Sequence, residues 1–168
     1  MIKITEEIIK IIMSALVIVF GGIDTVNSFD NTYHEKEIMT LYIDKINVQN
    51  KIYSKDSILN DIDLNVMILP DSDYPDIEKG TVLLGGHSGV GDKAYFQRMT
   101  EVELGDLIRI NYDGKEYTYK VDNISKDNKD GKIRIDYSSN ETRLIIYTCY
   151  PGDKDSYLVL SSTLEFTK

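Results

Sequence analysis

Cysteine is almost missing from this 168-residue chain: Cys149 is the only one. No disulfide can form within the chain, so the core must rest on apolar burial, which a chain of this length can supply. Histidine is nearly as scarce, with His34 and His87 alone. Together with Cys149 they lack the close paired spacing of zinc ligands, so no metal site is expected. Tryptophan is absent, proline occurs only three times, and no repeat or low-complexity tract appears. No block of lysine and arginine is present either. With 19 basic against 28 acidic residues the net charge is −9, which argues against a phosphate backbone as partner.

One long apolar run is present. Residues 8–23 are apolar apart from Lys10 and Ser14, close to the roughly 20 residues that cross a bilayer. Lys10 can snorkel to the headgroups. No Ala-x-Ala-like site follows, so an uncleaved anchor is expected over a removed signal peptide. A buried amphipathic helix is the plainer alternative. It is disfavoured because nearly the whole circumference is apolar. Lys3 and Lys10 favour a cytoplasmic N-terminus. The expected organisation is a cytoplasmic N-terminus and anchor over residues 1–25, a polar linker over 26–37, and a single domain over 38–168. His34 lies in the linker and is assigned no role.

Beyond the linker, short apolar runs alternate with turn residues, the pattern of an all-β barrel or sandwich. Strands are expected at 39–43, 46–48, 66–69 and 81–84, a helical turn within 56–63, and a short helix over 93–99. The clearest local signal is Asp113-Gly114 between the alternating runs Ile108, Ile110, Tyr112 and Tyr117, Tyr119, Val121. Asp-Gly in that setting marks a two-residue hairpin, because both turn positions need positive φ. Residues 126–131 read as a charged loop. Further strands are expected at 133–135, 144–148 and 157–166.

Two residues on this scaffold carry reactive chemistry. His87 follows an apolar strand inside Gly85-Gly86-His87-Ser88-Gly89, and Cys149 follows another just before Tyr150-Pro151-Gly152. A strand end fixes the backbone while the side chain faces a cleft. Glycines let a substrate backbone approach. A thiolate beside an imidazolium is the usual form of an activated cysteine, and the same imidazole can protonate a leaving amine. Any chain with one cysteine and two histidines offers such a pair, so a buried, inert Cys149 stands as the alternative.

The ordered set of segments is more specific. Residues 39–48 (MTLYIDKINV), 80–87 (GTVLLGGH), 95–110 (YFQRMTEVELGDLIRI) and 145–149 (IIYTC) resemble, in order, the segments of the sortase family. Cys149-Tyr150-Pro151 resembles the Thr-Cys-Tyr-Pro variant of class D-like sortases. The resemblance implies a closed eight-stranded β-barrel with short helices, no cofactor, Cys149 and His87 as catalytic residues, and Thr148, Gly86 and Tyr150 as substrate contacts. It also implies the reaction, transpeptidation at a Leu-Pro-x-Thr-Gly or Leu-Pro-x-Thr-Ala-like sorting signal through a thioacyl-enzyme. The partners would be secreted proteins bearing that signal and an amine from a peptidoglycan precursor or a pilin, at the outer face of a Gram-positive-type membrane. One position departs from the pattern: aligned on this family, Ser156 stands where an arginine is expected. Lys154 is the nearest substitute in sequence. Arg143 is less suited, because it would lie about 20 Å from Cys149 along an extended strand. The departure favours one rival, a sortase-like barrel that binds sorting signals with weak turnover; a second rival is a structural membrane-anchored β-domain whose Cys149 is merely buried.

Overall fold

The computed structural model describes residues 36–130 and 140–168, all within a compact unit spanning His34–Lys168. The expected anchor, His34, most of the linker and the strand at 133–135 lie outside the described residues. Eight strands form one sheet: β1 (Glu37–Ile43), β2 (Val48–Tyr53), β3 (Met67–Ile68), β4 (Thr81–Gly85), β5 (Leu107–Tyr112), β6 (Lys115–Asn128), β7 (Arg143–Cys149) and β8 (Ser156–Thr167). Their order across the sheet is β2-β1-β5-β6-β8-β7-β4-β3.

The sheet curls until its two edge strands, β2 and β3, lie beside each other. The barrel is therefore nearly closed rather than closed. No hydrogen-bonded ladder joins β2 to β3, and the seam is sealed by side chains such as Ile52 and Ile68, both fully buried in one cluster. Every pairing is antiparallel except β4 with β7, which run parallel.

Alternation along the strands sends Leu41, Ile43, Ile108, Ile110, Leu144, Ile146, Leu158 and Leu160 into the barrel. A second, smaller cluster forms on the other face of β4, β7 and β8, from Leu83, Ile145, Tyr147 and Val159 with Leu69. β4 and β7 are thus covered on both sides. That explains why they read as continuous apolar runs and not as alternating ones. The β5–β6 hairpin turns where expected, with φ of 48° at Asp113 and 75° at Gly114, the left-handed pair that the twist of a hairpin favours.

Three local expectations are corrected. Ile46 belongs to a 3-10 turn, Asp44–Ile46, and not to a strand. Residues 93–99 form successive turns ending in a second 3-10 turn, Met99–Glu101. Seven residues are too few to nucleate a helix without tertiary help, and here the backbone N–H of Phe96 donates to the carbonyl of His87 instead. Residues 56–63 likewise hold turns without a helix.

Candidate active site

The parallel β4–β7 ladder positions the site. Its register pairs Gly85 with Tyr147. Just beyond the ladder, His87 and Cys149 both line the same two clefts. Three hydrogen bonds stitch the two strand ends together. Thr148 Oγ1 donates to the Gly86 carbonyl at 2.8 Å, the Gly86 N–H donates to the Tyr147 carbonyl at 3.2 Å, and Ser88 Oγ donates to the Cys149 carbonyl at 2.6 Å.

Gly86 is fixed by packing. A Cβ there would stand 2.7 Å from a ring carbon of Phe96, itself fully buried. Any larger residue would push that ring or the strand end that carries His87.

Cys149 is half-buried and free. The His87 imidazole is also half-buried, with Nε2 3.1 Å from Oδ1 of Asp63, a carboxylate on the long connection between β2 and β3. The two residues stand where two clefts meet. The larger, about 960 Å³, is bounded by Val90, Lys93, Gln97, Tyr150 and Lys154. The smaller, about 300 Å³, is mostly apolar and runs over Ile62, Met67, Leu69, Tyr147 and Tyr157.

The segment after Cys149 is held by an acidic knot. Asp153 accepts from the Ser156 hydroxyl at 2.9 Å and from the Asp155 N–H at 3.0 Å, and pairs with Lys126 at 2.7 Å. The Lys126 ammonium, followed by these N–H and O–H donors, pulls the Asp153 carboxyl down from 3.8 to about 2. Lys126 in turn sits over the Tyr150 ring at 4.7 Å.

The sequence-predicted residues divide accordingly. Cys149 and His87 are brought together, and Gly86 and Tyr150 border the clefts. Thr148 is buried, with its hydroxyl engaged in the strand-end stitching. Ser156 does not stand where a first-contact arginine would be needed. In the β7–β8 ladder the residue opposite Cys149 is Tyr157, and directly opposed residues share a face. Ser156 therefore points to the other face. It is buried, with its hydroxyl on Asp153. Arg143 is held at the far end of β7 by Asp122 and Glu141. Lys154 borders the larger cleft.

The cation at the sulfur is one that the sequence reading passed over. Lys129 Nζ lies 3.1 Å from Cys149 Sγ and 5.1 Å from the centre of the Tyr157 ring. Residues 126–131 read as a loop because they are polar. In fact β6 continues to Asn128, paired with β8 throughout. A bulge between Val121 and Asn123 shifts its register and breaks the alternation that would have revealed the strand.

Against this geometry the comparisons are plain. The chain belongs to the sortase family: the model of the Sortase domain matches residues 41–163. Sortase D of Bacillus subtilis (strain 168) is 33% identical over 111 residues, which cover 66% of this chain and 53% of that protein. The chain thus spans about half the length of the curated relative it matches. That likeness is consistent with the class D-like reading of Cys149-Tyr150-Pro151.

Sortase A from Corynebacterium diphtheriae matches in structure with a TM-score of 0.68 and 22% identity, over 79% of this chain and 62% of that one. A Clostridium perfringens Sortase D5 transpeptidase matches with a TM-score of 0.65 and 19% identity, over 78% and 80%. At these identities the structural matches establish the fold, an eight-stranded sortase barrel with little helix.

Proposed function

We propose that this chain is a cysteine transpeptidase that cuts a sorting signal of the Leu-Pro-x-Thr-Gly or Leu-Pro-x-Thr-Ala kind and passes the acyl half to an amine. The observation that carries this reading is the placement of Cys149 and His87 at the junction of two clefts, one broad and open and the other narrow and more enclosed. A transpeptidase needs one cleft for the part that stays on the sulfur and another for the amines that leave and arrive. The narrow apolar cleft over Met67, Leu69 and Tyr147 suits the apolar residues before the scissile bond. The broad open cleft suits the two amines in turn.

The sulfur of Cys149 attacks the carbonyl carbon and forms the C–S bond. The C–N bond breaks, and His87 gives a proton to the departing amine. The incoming amine returns a proton to His87 as it displaces the sulfur. The acceptor would be a peptidoglycan precursor or a pilin lysine.

The test is to incubate the chain with a panel of sorting-motif peptides and read its mass. A hydroxylamine-labile adduct on Cys149, formed with at least one peptide, is the expected result. Its absence across the panel would remove the reading.

The apolar run at 8–23 fits an anchor that holds the domain where secreted chains emerge. The full chain should sediment with membranes, and the chain shortened to begin near Phe29 should remain in the supernatant. Equal partitioning of the two would refute the anchor.

A further inference from the structure

A side chain hydrogen-bonded to the Cys149 sulfur comes from neither β7 nor β8. We propose that Lys129, at the end of β6, is the catalytic cation of this site and takes the place of an arginine on β8. This inference rests on the transpeptidase reading above.

Register explains how a residue from a third strand reaches the sulfur. Cys149 opposes Tyr157 in the β7–β8 ladder, and Tyr157 opposes Asp127 in the β6–β8 ladder. All three lie on one face. Lys129 is two residues beyond Asp127 and returns to that face. Its backbone is held there, because its N–H donates to the Asp155 carbonyl at 2.9 Å and so extends the ladder past Asn128. From that point the four-carbon stem passes over Tyr157 and delivers Nζ to Sγ. Lys129 is half-buried, and with Cys149 and Tyr157 it lines the narrow cleft. An arginine at position 156 would start from the opposite face.

Among the described residues, Lys126 is paired with Asp153, Arg143 lies at the other end of β7 on Asp122, and Lys93 and Lys154 border the larger cleft. Among the described residues, Lys129 is the cation hydrogen-bonded to the sulfur.

The chemistry follows from the contact. The attacking form of a cysteine is the thiolate, and the ammonium 3.1 Å away is placed to hydrogen-bond to it. When the sulfur attacks, its negative charge moves to the carbonyl oxygen. The three N–H donors of an ammonium rotate freely about the last bond, so Lys129 can turn one of them to that oxygen. It keeps its proton count through the cycle. The proton traffic passes through His87; the sulfur pair forms the C–S bond, the carbonyl π pair moves to oxygen, and it returns to re-form C=O as the C–N bond breaks. Because the charge can be met from one point, a bidentate fork is not required.

The proposal is tested on the full chain with Lys129→Met and Lys129→Arg, with thermal melting to confirm the fold of each. Two readouts are needed. The first is the rate of adduct formation on Cys149 with the best sorting peptide. Loss of a donor to a developing oxyanion typically costs about 10²–10³ in rate. Lys129→Met should lose that much, while Lys129→Arg should stay within about tenfold of the wild type. The second readout uses no peptide. Alkylation of Cys149 by iodoacetamide at about pH 7 should slow clearly in Lys129→Met, because the sulfur loses its hydrogen-bonded cation.

Adduct rates within about threefold of each other for wild type and Lys129→Met would overturn the proposal and leave the transpeptidase reading standing. So would equal alkylation rates. A wild-type chain that shows Lys129-dependent alkylation yet takes up no peptide would instead overturn the transpeptidase reading, and the catalytic role with it.

Discussion

Cys149→Ala is expected to leave the barrel folded and to reduce peptide cleavage and transfer to less than about a thousandth of the wild-type rate. The fold should survive because the sulfur is not a core atom. Cys149 lies at the last position of β7, half-exposed, and faces the clefts. What ties that residue to its neighbours is mostly backbone: its carbonyl accepts from Ser88 Oγ, and its strand pairs with β4 and β8. Alanine keeps all of these. Deleting a half-exposed thiol also leaves no enclosed cavity of the kind that makes core truncations costly. Activity should disappear because no other thiol exists to form the acyl-enzyme. The check is kcat/KM with a sorting peptide, beside a thermal melt. Residual turnover above about a thousandth in a folded variant would place the nucleophile elsewhere.

How much of this site the sequence could disclose depends on which contacts are local. The β5–β6 hairpin is a local event, written in Asp113-Gly114 and the alternation around it. The two strands that lead into His87 and Cys149 were legible for a different reason. They are buried on both faces, so each appears as an unbroken apolar run that stops at a reactive residue. That these two runs lie side by side is a non-local fact, and the resemblance to a family supplied it.

The face to which Ser156 points was illegible for want of the same kind of information. A one-residue error in a strand exchanges the two faces, and only the ladder shows that Tyr157 opposes Cys149. Lys129 was harder still. It lies beyond a bulge, in a polar stretch whose strand character comes from pairing with β8 and not from its own composition. The charges at 127 and 129, two residues apart, were the one available signal, and the turn-like Asn128-Lys129-Asp130-Gly131 obscured it.

His87→Ala should cost roughly 10²–10⁴ in rate on a peptide substrate, the usual scale for a general acid–base group. The loss should not be uniform across substrates, and that distinguishes catalysis from support of the fold. The imidazole is needed chiefly to protonate an amine as the C–N bond breaks. An activated ester of the same acyl group, such as a nitrophenyl ester, leaves without that proton. His87→Ala should therefore acylate Cys149 from the ester within about tenfold of the wild type while remaining slow on the peptide. Lys129 remains hydrogen-bonded to the sulfur in this variant.

The substitution is a mild one structurally. His87 follows β4 in a turn, is half-buried, and has Asp63 as its side-chain partner, a mostly exposed carboxylate. The backbone carbonyl that receives the Phe96 N–H is unchanged by alanine. Stopped-flow acylation with the two substrates is the measurement. If the ester reaction falls as far as the peptide reaction, His87 acts on the thiol itself or holds the cleft in shape, and its role as proton donor to the leaving amine is refuted.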